Sequence, residues 1–187
     1  PTPFTQTIAS TGLNLTYQWQ SSSDGTNFSN ILVNGTSNTY DAPGPITQTT
    51  WYRRTTISTV NGVQCQAISN NIQVIVNSIN PGSISGNQTI CNGGDPNPFT
   101  SINATGSGTI TYQWQSNTTD CFGTWTNISG ATLATYDIPS GLTTTTYYRR
   151  ITTSTLNSVS CSHTSNAVTI TVNSIDAGTI SQDQTIC

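Results

Sequence analysis

A chain that repeats itself once per domain length folds as copies of one module, and here the repeat has that size. Tyr17-Gln18-Trp19-Gln20 returns as Tyr112-Gln113-Trp114-Gln115, and Pro3-Phe4-Thr5 as Pro98-Phe99-Thr100, both displaced by 95 residues. Tyr40-Asp41 matches Tyr136-Asp137, Tyr52-Arg53-Arg54 matches Tyr148-Arg149-Arg150, and Cys65 matches Cys161, all displaced by 96. The slip falls between the Trp and Tyr-Asp landmarks, where a change of length marks a surface loop. Gln88-Thr89-Ile90-Cys91 recurs as Gln184-Thr185-Ile186-Cys187, so the chain reads as two repeats lifted out of a longer array. The expected division is 1–80, a repeat lacking its first strand; 81–176, a complete repeat; and 177–187, the first strand of a third.

Within one unit the hydrophobic period is two. Ile110, Tyr112 and Trp114 alternate with Thr and Gln, as do Leu15, Tyr17 and Trp19; Val168, Ile170 and Val172 alternate with Thr, matching Ile72, Val74 and Val76. Such alternation places one face in a core and the other in water. Turn signals fall between the runs, at Asp24-Gly25, Asn34-Gly35, Asn61-Gly62, Pro81-Gly82 and Ser140-Gly141. The pattern predicts an all-β fold of tandem immunoglobulin-like antiparallel β-sandwiches with about seven strands each. In the second unit strands are expected near 83–90, 98–104, 108–116, 124–128, 132–137, 144–155 and 165–173.

Composition agrees. Every acid is Asp, every base is Arg, and Lys, Glu and Met are absent, which removes strong helix formers. A net charge of −3 with four Arg leaves no basic patch to neutralise phosphates, so nucleic acid is not an expected partner. No apolar run approaches the length of a membrane span and no leader opens the chain, so no membrane insertion is expected. Absence of Lys also excludes Lys-Asn isopeptide crosslinks. Five Cys with neither CxxC nor clustered His point to disulfides in an oxidising compartment rather than zinc.

Trp19 and Trp114 share the inward phase of their strands with Tyr17 and Tyr112, and these four are expected in the cores. Arg53-Arg54 and Arg149-Arg150 occupy successive strand positions, so one of each pair points inward. The inward one needs a carboxylate, and Asp41 or Asp137 is the repeated candidate for a structural salt bridge. Cys91 and Cys161 belong to the one complete unit; pairing them closes a loop of about 70 residues and contributes about 4 kcal/mol. Cys65 and Cys187 are expected to pair with partners outside the chain, and Cys121, in a two-residue insertion without counterpart, stays unpaired. Phe28 and Trp125 occupy equivalent loop edges and are the candidates for glycan contact.

His163 is the only His, and the other repeat has Ala67 in its place, so no catalytic residue is expected. No Asp-x-Asp or EF-hand loop marks a metal site, and no cofactor is expected.

The leader Gln88 to Pro96, the Tyr-Gln-Trp-Gln and Tyr-Tyr-Arg-Arg strands, Tyr136-Asp137-Ile138-Pro139, and Cys161 followed by Ser165-Asn166 together resemble the repeats of SprB-type gliding-motility adhesins of Bacteroidetes. The resemblance covers essentially the whole chain. It implies a very long filament on the bacterial surface, attached at the outer membrane, exported by the type IX secretion system and moved to drive gliding. Expected partners are neighbouring repeats of the same chain, the gliding or secretion machinery and surface polysaccharide. The expected function is a structural stalk supporting attachment; the alternative is a polysaccharide-binding module using loop aromatics.

Overall fold

A computed structural model describes residues 1–187 as two compact units, Pro1–Val76 and Asn77–Cys187. Both are all-β, and no helix is long and apolar enough to cross a membrane.

In the first unit, β1 (Leu15–Ser22), β2 (Ser29–Asn30), β3 (Thr50–Val60), β4 (Val63–Ile68) and β5 (Ile72–Val74) form one antiparallel sheet. The eleven-residue β3 organises it. One edge pairs with β1 along Leu15–Ser22, and the other carries β4 and β5 in succession. Trp19, Tyr40, Ala42 and Tyr52 form the core, with Phe4 held over it by a bridge to Tyr40.

The second unit repeats this plan and adds to it. Its strands are β6 (Ile79–Asn80), β7 (Ser83–Ser85), β8 (Gln88–Cys91), β9 (Thr100–Ile102), β10 (Thr105–Gly106), β11 (Thr109–Asn117), β12 (Thr126–Asn127), β13 (Thr146–Leu156), β14 (Val159–Thr164) and β15 (Val168–Asn173). The main sheet runs β12-β11-β13-β15-β8, with β14 also on β13. β8 lies parallel to β15, and its presence accompanies a six-residue β15 where β5 has three residues. Two short ladders, β7 with β9 and β6 with β10, complete the unit. Ile84 of β7, Phe99 and Ile138 close over Trp114, Tyr148, Val168 and Ile170 of the main sheet, so this core is larger than that of the first unit.

Four features differ from the expected strands. The run 83–90 is broken at Gly86, whose φ is +122, and its halves join different sheets. Residues 132–137 are a loop, because the segment spends its backbone groups on Trp114 and Arg150 instead of a ladder. β14 was not among the expected strands; its sequence, Val-Ser-Cys-Ser-His-Thr, is too polar to show a period of two. The unit boundary lies at Val76 and Asn77 rather than at 80 and 81, since Asn77 already bonds to Ser154 of the second unit. Residues 174–187 form no strand, whereas the equivalent 78–91 form β6, β7 and β8 against residues that follow them in sequence.

The β3-β4 and β13-β14 hairpins have two-residue loops with both central residues at positive φ, the geometry that suits the twist of paired strands. Asn61-Gly62 meets that demand cheaply, but Asn157-Ser158 places Ser158 at φ +64. A side chain there costs roughly 1–2 kcal/mol, offset in part by the extra freedom glycine has in the unfolded chain. Ser158→Gly should therefore stabilise the second unit by about 0.5–1 kcal/mol, seen as a higher urea midpoint at unchanged slope. A midpoint that falls would show that the hairpin does not strain Ser158.

Candidate functional site

The recurrent polar residues of each unit converge on one inward-facing stripe. Along β13 the side chains of Thr146, Tyr148, Arg150, Thr152 and Ser154 alternate inward, and all five are buried. Trp114 and Arg150 are directly opposite in the β11-β13 ladder, as are Trp19 and Arg54 in β1-β3. The Trp side chains are buried to 0% and 4% exposure, and each indole N–H donates to a loop carbonyl, Leu133 O or Ser37 O at 2.9 Å.

Arg150 has no exposed surface at all. Its guanidinium lies 4.7 Å from the ring centre of half-buried Tyr112 and 5.9 Å from that of Trp114. Nη1 donates to Ala134 O, and Nη2 to Pro81 O at 3.0 Å and Ile102 O at 3.2 Å. Arg54 repeats the arrangement over Tyr17 and Trp19, donating to Asn38 O, Ser10 Oγ and Gln6 Oε1. The expected salt bridges to Asp41 and Asp137 do not form. Tyr40 and Tyr136 turn toward the cores, so the following Asp in each Tyr-Asp step is exposed. Carbonyls and aromatic faces solvate the charge instead, and burial pulls the Arg150 pKa down without a carboxylate to oppose it.

The outward arginines are engaged too. Arg53 donates from Nε to Gln20 Oε1 at 2.7 Å and covers Phe28 at 4.0 Å; Arg149 donates to Gln115 Oε1 at 2.8 Å and covers Trp125 at 4.4 Å. Both rings are half-buried, each with a guanidinium on it. Asp24 is tied to its own loop: the Asn27 and Thr26 backbone N–H groups, the Asn27 amide and the Ser22 hydroxyl hold its carboxyl well below the usual range. Asp120 plays a similar part for Phe122 and Gly123.

A shallow cleft recurs at the same place in both units. In the second it is ≈ 390 Å³ and lined by Ser116, Ile128, Tyr136, Ile138 and Tyr148 among others; in the first it is ≈ 400 Å³, with Ser21, Ile31, Tyr40, Ile46 and Tyr52. The sequence signal for it is the pair of Tyr positions in each repeat, Tyr40 with Tyr52 and Tyr136 with Tyr148.

The cysteines are all free thiols. The expected Cys91-Cys161 bridge does not form, and the register shows why. Cys161 is opposite Ser154, eight residues along β13 from Thr146. Thr146 is opposite Ile170, and Cys91 lies three residues beyond that, beside Asn173. At ~3.3 Å per residue the two sulfurs are on the order of 30 Å apart, against a limit of about 7 Å between the Cα atoms of a disulfide. Cys65, opposite Ser58, is likewise at the far end of its sheet from β5, so a partner in its own leader strand is excluded on the same ground. Cys121 is exposed in its loop, Cys187 is exposed beyond the last strand, and His163 is exposed on β14. No three His, Cys, Asp or Glu side chains gather as a metal site would require.

The family model described as "Domain of unknown function (DUF8696)" matches residues 1–78 and again 80–174. No curated protein and no solved structure matches the chain.

Two outcomes follow from the buried stripe. Arg150→Ala removes a donor from the Ala134, Pro81 and Ile102 carbonyls, of which Pro81 O keeps the Thr152 hydroxyl, and leaves a void beside aromatic rings; it should cost about 3 kcal/mol or more. Arg149→Ala loses a half-buried cation–π contact and the bond to Gln115 Oε1, together worth about 1–2 kcal/mol. Chemical denaturation of the two variants measures the contrast, and equal losses would overturn the account. Tyr148 is the second probe. Burial, aided by Tyr136, pushes its hydroxyl up to about 12, above the ordinary value of about 10. The folded state favours the neutral phenol, so this contribution is complete below about pH 10 and is lost as pH rises toward 12. Tyr148→Phe should move alkaline unfolding, followed by near-ultraviolet circular dichroism, to higher pH.

Proposed function

The chain belongs to this family in both of its repeats, and from that premise we propose that the repeats are stalk modules of a large bacterial cell-surface adhesin. One observation carries the reading. The side chains that recur with chemistry in them, the Arg pairs and the aromatic rings, are consumed inside each unit by carbonyls, amides and one another. A module whose recurrent groups are spent on its own frame is suited to bearing load and setting distance. The resemblance to SprB-type repeats supplies the setting: an extracellular filament attached at the outer membrane, supporting attachment and gliding, with the secretion and gliding machinery as partners. A polar surface that carries no Lys or Glu suits a secreted β-repeat.

Pulling single molecules by their ends tests the mechanical reading. The expected trace is a sawtooth with one unfolding step per repeat, the step of the complete repeat at higher force than that of the repeat without a leader strand. A chain that extends as a single block, or offers no resistance, would overturn it.

The recurring cleft favours a second reading, a module that binds surface polysaccharide. Its tyrosine and threonine lining offers the mix of apolar face and hydroxyl that sugars use. Retention on immobilised polysaccharide that Thr143→Arg, in the cleft lining, abolishes with folding intact would establish it.

A further inference from the structure

The recurring cysteines stand at opposite ends of a unit, and one asparagine position connects both ends. Asn77 reaches into the second unit at the end where that unit begins. Its Nδ2 donates to Ser154 O at 2.7 Å and Val159 O at 2.9 Å, and its Oδ1 accepts from Ser154 Oγ at 2.6 Å. Ser154 is directly opposite Cys161, and residues opposite one another in a ladder project to the same face. Asn77 therefore docks beside the Cys161 side chain, which is the one cysteine that is partly covered.

Asn173 is the equivalent of Asn77, 96 residues later, and each lies in the same Val-Asn-Ser-Ile context. Asn173 is in register beside Cys91, and the Asn92 backbone N–H donates to Asn173 O at 3.0 Å. Both Cys91 and Asn173 are exposed and follow inward residues Ile90 and Val172, so they share the outer face of the sheet. One side of this asparagine position thus abuts the leader cysteine of its own repeat. Its side chain, by the equivalence with Asn77, enters the following repeat next to the β14 cysteine.

We propose that the disulfides of this family join successive repeats: the leader cysteine of each repeat bonds to the β14 cysteine of the repeat that follows. Cys91 is the donor-side half of one such staple and Cys161 the acceptor-side half of another; Cys65 is equivalent to Cys161, and Cys187 to Cys91. Each thiol gives up a proton as the sulfur–sulfur bond forms. The two electrons reduce the S–S bond of a disulfide oxidant, oxidised glutathione or a disulfide-bearing oxidoreductase, to two thiols. Cys121 takes no part. The staple explains why the two cysteine positions recur at the repeat period while neither can reach the other within a unit. It rests on the tandem arrangement and not on the adhesive role, so pulling experiments can fail while the linkage stands.

A direct test fuses two full copies of the chain in register, placing Asn-Gly-Gly-Asp, the residues that follow Cys91, between Cys187 and the second Pro1. The first copy's Cys91 and Cys187 then precede repeats that carry the second copy's Cys65 and Cys161. After refolding in a glutathione redox buffer, non-reducing peptide mapping should find Cys91 linked to Cys65 and Cys187 linked to Cys161. Cys65→Ser in the second copy should abolish the first linkage and leave the other, whereas Cys65→Ser in the first copy and Cys121→Ser should change neither. Cys91 linked to Cys161, or four thiols that stay fully open to alkylation in a folded fusion, would overturn the proposal.

Discussion

Burying a guanidinium without a carboxylate is the constraint around which each repeat is arranged. Arg150 cannot shed its proton and cannot reach water, so the fold must supply acceptors on one side and aromatic faces on the other. That requirement draws Pro81, Ile102 and Ala134 to one point from three separate segments. These segments lie far apart in the chain, and none of them belongs to the long strands. The charge organises the irregular half of the module, much as Trp114 organises the regular half. Arg54 does the same work in the first repeat: Asn38 O stands where Ala134 O does, while the Gln6 and Ser10 side chains take the place of the Pro81 and Ile102 carbonyls, so the geometry is retained while part of what supplies it changes.

This is also why some of the structure was legible in the sequence and some was not. The repeat, the two-residue alternation and the opposite phases of the paired arginines are carried by side-chain identity and spacing, and each has its counterpart in the ladders of β1-β3 and β11-β13. A backbone carbonyl leaves no trace in a sequence. The nearest repeated carboxylate, Asp137, therefore stands out in the sequence as a partner for Arg150, whereas the carbonyl that does pair with it, Ala134 O three residues earlier, does not. β14 was hidden for a related reason: an edge strand with no apolar face looks like a loop until the turn at Asn157-Ser158 folds it back.

The cysteines carry a different lesson. Membership of one module does not bring two residues together when β13 is long enough to hold its two ends far apart. Residues near the start and near the hairpin of a single repeat are neighbours in neither sequence nor space. The segment from Asn77 to Gly82 matters for the same reason: it belongs structurally to the second unit, through Asn77 with Ser154 and Pro81 with Arg150.

The parallel pairing of β8 with β15 has a mechanical meaning. The chain enters the complete repeat through β6 and β7, which pair with β10 and β9, continues into β8 and leaves through β15, and β8 and β15 run side by side in the same direction. Tension on the two chain ends, once it has opened the β6 and β7 ladders, slides β8 lengthwise past β15. All the bonds of that ladder are strained together, in shear, rather than peeled open in turn like a zipper. A strand pair loaded in this way must lose its whole register at once before it yields.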